Sequence, residues 1–224
     1  MSTELKKSWE VYKVIIFKIL VVITIQSLLI EFMDVFLTVA VYNRIFYYII
    51  KAIFFIIKIL LNSVSLLVIT HTIYDYYKLQ QVNLIDIVKR TLGDFRQILI
   101  IISLELLITV VCSLNALNII LLGIFKVLTV FIWQSYIIGN KRMINVFKDS
   151  CLLVIHNIKD LLKYLLLYFG IYIVFIILDF IYPSYESINF IFKYCYQLLY
   201  AYITVLFTYL YMKYNKNAQQ SDFS

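Results

Sequence analysis

Along the chain, long apolar runs alternate with short segments rich in lysine and tyrosine. Six runs, Val14–Met33, Ile45–His71, Ile98–Ser113, Leu117–Ile138, Tyr164–Tyr182 and Ile188–Met212, are each about long enough to cross a ~30 Å hydrocarbon layer as a helix. The pattern predicts an all-α polytopic membrane bundle of six transmembrane helices, arranged as three hairpins. A soluble domain of 224 residues, 63% of them hydrophobic, has too little interior to hide that much apolar surface. One bundle domain, 1–216, accounts for nearly all of the length, with a polar tail at 217–224 and no room for a separate soluble catalytic domain.

The segments that lead into the hairpins look alike. LKKSWEVYK (Leu5–Lys13) aligns without gaps on VKRTLGDFR (Val88–Arg96), pairing Lys6 with Lys89, Lys7 with Arg90 and Ser8 with Thr91. FKDSCLLVIHNIK (Phe147–Lys159) begins similarly, with Lys148 and Ser150, then runs about one helical turn longer. The expectation is a unit used three times, over 2–72, 82–138 and 142–212, each an amphipathic cytoplasmic helix followed by two spans. In the third segment Ile144, Phe147, Cys151, Val154, Ile158 and Leu161 form an apolar stripe, on a different face from Val146, Ser150, Leu153 and Asn157. Such a helix can lie in the headgroup region or pack against the inner ends of the spans.

Charge gives the orientation. The chain carries 20 Lys and Arg against 13 Asp and Glu, a formal net charge of +7. The bases gather before the first span, between spans two and three, between four and five, and after the last, which places both termini in the cytoplasm of an inner-membrane protein. Lys6, Lys7, Lys89, Arg90, Lys148 and Lys159 are the expected membrane-surface contacts, reaching toward anionic lipid. Bases spread over several span-flanking segments do not make a nucleic-acid surface.

The stretch IIGNKRMINVFKDSCLLVIHNIKDLLKYLLLYF resembles the surface-helix-then-span segment of the membrane domain of glycerophosphoryl diester phosphodiesterases and of related bacterial six-helix membrane proteins. The places that carry the likeness are Val146, Ser150 and Asn157, with the ending ITVLFTYLYMKYN (Ile203–Asn215). The chain lacks the phosphodiesterase domain of that enzyme, so the resemblance implies a membrane bundle and no catalysis.

Some charges fall inside the apolar runs. Glu105 and Lys126 each lie about ten residues from the turn near Asn115, so on antiparallel helices both sit ~15 Å below it and are placed to pair. Lys51, Lys58, Asn62 and Ser65 share one helical stripe, expected to face other helices. Glu31 is a candidate partner for Lys51, Glu105 competes for Lys58, and Asp179 and Lys193 flank the last outer turn. Lys58, Asn62, Glu105 and Lys126 are the candidate intramembrane polar site, either structural pairs or a polar pathway.

Little else points to chemistry. Cys112, Cys151 and Cys195 form no CxxC motif, His71 and His156 no HExxH, and no GxxxxGK[ST] or GxSxG loop occurs. No catalytic residue, cofactor or metal is expected. The N-terminal MSTELKKSWEVYK lacks a signal-peptide pattern, so the first span is expected to remain. With four glycines and one proline, the spans are expected to be mostly unbroken. The functional expectation is a non-enzymatic inner-membrane protein of the envelope that interacts with lipid or a partner. The alternative is a permease-like subunit serving a separate ATPase.

Overall fold

The computed structural model describes residues 3–40, 44–79, 82–113, 118–142, 144–181 and 186–221. They are helical almost throughout: α1 (Thr3–Ala40), α2 (Arg44–Leu79), α3 (Leu84–Gly93), α4 (Phe95–Ser113), α5 (Asn118–Leu128), α6 (Ile132–Ile137), α7 (Ile144–Ile181) and α8 (Glu186–Ser221). The turn at 114–117 lies outside the described residues, as do the side chains of Asp179 and Lys193, so their expected pairing is not addressed.

Helix ends follow local chemistry. Asn83 caps α3 by accepting the Ile85 amide at 3.1 Å, while its Nδ2 donates to Asp86 at 2.8 Å. A single residue, Asp94, separates α3 from α4, and its amide folds back onto the Arg90 carbonyl. At the first basic segment there is no such break, and α1 carries the surface segment straight into the apolar run. Segment three is intermediate, since α7 bends at Asn157, where the backbone leaves helical values and the side-chain amide donates to the Leu153 carbonyl at 2.9 Å. The last helix continues to Ser221, into the stretch read from sequence as a tail.

α1 packs on α2 and α8, α7 packs on α6 and α8, and α2 reaches α3, α4 and α6. Three apolar clusters fill the seams. Ile15, Ile19 and Ile73 join α1 to α2 and α8; Ile98, Ile101 and Ile132 join α4 to α6; Leu161, Leu206 and Phe131 join α7 and α8 to the α5–α6 connection. Residues at matching places in the three basic segments are buried alike. The hydroxyl residues Ser8, Thr91 and Ser150 are buried, and so are Ile15, Ile98 and Leu161 one or more turns later.

Two helices, Thr3–Leu37 and Phe46–Lys78, are long and apolar enough to cross a membrane, with mean hydropathies of 2.3 and 2.5. Their outer faces stay uncovered: Phe17 is 78% exposed and Phe32 69%. Val21, Ile25, Leu28, Ile49, Ile53 and Ile56 continue that surface. A contiguous apolar surface of this extent is foreign to a water-soluble monomer.

The third basic segment turns toward the protein the face carrying Val146, Ser150, Leu153 and Val154, all buried. The expected apolar stripe is split: its members Val154 and Leu161 are buried, whereas Ile144 and Ile158 are exposed. The reason is a buried backbone interruption that Ser150 must reach.

Candidate functional site

The fourth apolar run is not one helix. α5 stops at Leu128 and α6 starts at Ile132, although neither glycine nor proline occurs between them. The spans were expected to be mostly unbroken, and this run is an exception. Ser150 on α7 makes the break possible. Its Oγ accepts the Phe131 amide at 3.1 Å and donates to the Leu128 carbonyl at 2.8 Å. One side chain thus satisfies two main-chain groups that the interruption sets free. The Phe131 ring is fully buried, edge-on to Phe207 and Tyr211, with centroids 5.9 and 5.8 Å away.

Next to Ser150, Asp149 gathers two hydroxyls. Its Oδ2 accepts from Ser135 Oγ at 2.6 Å and from Tyr211 Oη at 2.9 Å, tying α7 to α6 and α8. Gly139 lies against the same junction. A Cβ there would collide with the Tyr211 hydroxyl and sit 2.7 Å from the Ser135 carbonyl oxygen. Asn140 follows with φ 49°, a left-handed value that asparagine tolerates at a helix end. Sequence reasoning missed Asp149 and Ser135, and the FKDS run was the visible signal.

Beside the break lies a cavity of about 410 Å³, lined from α2, α4, α5, α6, α7 and α8. Its aromatic walls include Trp133, Tyr168, Tyr200 and Phe207, and its polar atoms come from Thr70, Thr129, Thr204, Gln134, Glu105 and Lys126. Glu105 on α4 and Lys126 on α5 are ion-paired, as their matching depths suggested. Gln134 is only 4% exposed; its Nε2 donates weakly to Thr208 Oγ1 at 3.4 Å, and its Oε1 has no hydrogen-bond partner among the described residues.

The four candidate polar residues do not converge. Glu105 and Lys126 belong to the cavity, whereas Lys58 and Asn62 lie on the seam between α1 and α2. There Lys58 pairs with Asp34 and not with Glu105, and Asn62 accepts from Gln26. Lys51 lies over the Tyr47 ring, 5.6 Å from its centroid, and not against Glu31. Asp34 was out of view in the sequence because hydropathy ends the first run at Met33, while α1 runs on to Ala40.

Of the candidate surface bases, Lys6, Lys7, Lys89, Lys148 and Lys159 are exposed. Arg90 is bound to the buried Asp75 of α2. Near them Glu4 clamps three helices: it accepts from Lys213 at 3.0 Å and from Tyr164 at 3.2 Å. The Lys213 hydrogen bond, helped by the local backbone, holds the Glu4 carboxyl down to about 2, and the same bond pushes Lys213 up. Among the described residues no group of three or more His, Cys, Asp or Glu is placed to hold a metal ion.

Comparison with family models, curated proteins and solved structures finds no match to this chain.

Proposed function

We propose that the chain is a non-enzymatic, six-span protein of the cytoplasmic membrane, both termini inside, that holds a lipid or a partner molecule within its bundle. The observation that carries this reading is the cavity of about 410 Å³, which sets one ion pair among aromatic walls inside a bundle whose outer faces are apolar. The exposed Lys89 and Lys148 stand on α3 and α7 near the uncovered Ile85, Leu92 and Ile144, a combination suited to an anionic membrane surface. The resemblance to the membrane domain of glycerophosphoryl diester phosphodiesterases belongs to this reading, and Ser150 and Asn157, two of its marker residues, sit at the helix break and at the α7 bend.

Mass spectrometry of everything that leaves the membrane with the mildly extracted chain tests the role. Specifically retained lipid supports it, and an empty chain refutes it. Cysteine labelling tests the topology, with Asn115→Cys reactive from outside and Arg90→Cys from inside. Inside labelling at position 115 overturns it.

A second reading, a permease-like subunit working with a separate ATPase, is favoured by the α5–α6 break. Interrupted helices beside a central site are a device of transporters, and Thr129 and Val130 of the break line this cavity. A stoichiometric ATPase in the same extraction would decide for it.

A further inference from the structure

We propose that the cavity beside the α5–α6 break holds a single hydrocarbon tail, either the acyl tail of a membrane lipid or that of a free fatty acid. The inference rests on the preceding reading of the protein as a membrane bundle with a ligand inside, and names the part of the ligand that the cavity takes.

Much of the polar lining is already engaged by the protein. Thr70, Thr129 and Thr204 each donate their one hydroxyl proton to a carbonyl one turn earlier, those of Leu66, Phe125 and Tyr200, at 2.8, 2.8 and 2.9 Å. All three threonines are buried. Lys126 donates to Glu105. Gln134 turns its Nε2 to Thr208, and its Oε1 is sealed inside the protein. A phosphate, a sugar or a peptide would leave its water behind and find few free partners among these groups, which is the costly way to bury polar atoms. A hydrocarbon tail asks for none.

The rest of the wall is what a tail packs against. Leu66, Val127, Val130, Leu165 and Ile203 supply aliphatic surface, and aromatic rings from α6, α7 and α8 complete it. Left empty, an apolar cavity forfeits the dispersion contacts of its lining, and water drawn into it finds too few partners. Each methylene that enters restores such contacts. A volume of about 410 Å³ is near the lower end of ligand cavities and suits one tail, not a whole two-tailed lipid.

The opening lies where tails are found. Among the described lining residues only Lys126 is exposed, so the cavity reaches the outside of the bundle beside it. Counting from the turn near Asn115 puts Lys126 ~15 Å below that turn, in the middle of the hydrocarbon layer. Ile124 on α5 and Leu107 on α4, close to Lys126 and Glu105 along the sequence, are exposed as well. Lipid tails end at that depth, whereas headgroups lie at the two surfaces.

The test is photolabelling of the full protein in digitonin, a steroid detergent without a linear alkyl tail. The probe is palmitic acid carrying a diazirine on its tail, and cross-linked peptides are read by mass spectrometry. Label is expected within 127–134 and 203–207, which line the cavity. By mass action, about a hundredfold excess of unlabelled palmitic acid should reduce that label at least about tenfold. The same excess of glycerophosphoethanolamine, a headgroup without tails, should leave it unchanged. Displacement at lower concentration by dipalmitoyl phosphatidylcholine than by palmitic acid assigns the source to a membrane lipid, and the reverse assigns it to a free fatty acid. Val130→Trp puts an indole at the cavity wall and should lower the cavity label several-fold.

Label confined to outward residues such as Phe17 and Val21, cavity label that excess palmitic acid does not displace, or equal displacement by the bare headgroup overturns the proposal from the wild-type protein alone. Unchanged cavity label in a folded Val130→Trp also overturns it. If lipid is retained on extraction but the cavity takes no label, the tail assignment fails while the lipid-holding function stands. An empty extract and an unlabelled cavity remove both.

Discussion

The hydroxyl of Ser150 receives the amide of Phe131, a residue nineteen positions earlier in the connection between α5 and α6, at 3.1 Å. This bond lets a transverse break exist in a run with no helix-breaking residue. Replacing Ser150 by Ala leaves the Phe131 N–H and the Leu128 C=O without a partner in a buried place. The expected loss is about 1–3 kcal/mol, the cost of orphaned buried polar groups. Thermal unfolding of the extracted variant measures it, and an unchanged midpoint would show that the bond carries no weight.

The ion pair of Glu105 and Lys126 makes a pairwise prediction. Glu105→Gln and Lys126→Met should each destabilise, and the double variant should recover part of the sum. The expected coupling is on the order of 1 kcal/mol or more in a double-mutant cycle. Strict additivity would mean the two side chains do not interact.

Gly139 predicts a rescue. Gly139→Ala drives Cβ into the Tyr211 hydroxyl and the Ser135 carbonyl, and should cost about 1–3 kcal/mol. Tyr211→Phe removes the nearer obstacle, so the double variant should be less unstable than the sum of its parts. It also removes one donor from Asp149, so the rescue is partial. A double variant as unstable as the sum would place the strain elsewhere.

Glu4 makes the acid end of stability sensitive to one contact. Its carboxyl is depressed from 4.5 to about 2, chiefly by Lys213. A depressed folded value stabilises the fold above the ordinary carboxylate range, and the contribution drains away as pH falls from 4.5 toward about 2. Glu4→Gln should therefore narrow the difference in unfolding temperature between about pH 6 and about pH 3. An identical difference in both proteins would falsify the assignment. Because Lys213 keeps an exposed side chain, the effect is expected to be modest.

Helices and charge pairing within one hairpin were legible in the sequence because both depend on spacing along the chain. Glu105 and Lys126 could be matched by counting from the turn. Asp34 could not be matched to Lys58, since hydropathy falls before α1 ends and the helix goes on without it. The break at 129–131 was illegible for a different reason. Its local residues, Thr129, Val130 and Phe131, are β-branched or aromatic and none is a helix breaker, and the atom that stabilises it belongs to α7. Ser150 was visible as part of a pattern, yet its role exists only after two helices meet. Asp149 shares that property, because its two donors come from α6 and α8.

The Ser150 contact also sets an order of events during synthesis. A growing chain that has not yet reached residue 150 lacks the hydroxyl that meets the Phe131 N–H and the Leu128 C=O. The contact that holds the break is available only once the start of α7 has been made. The junction between α5 and α6 therefore depends on a part of the chain that is synthesised after both of them.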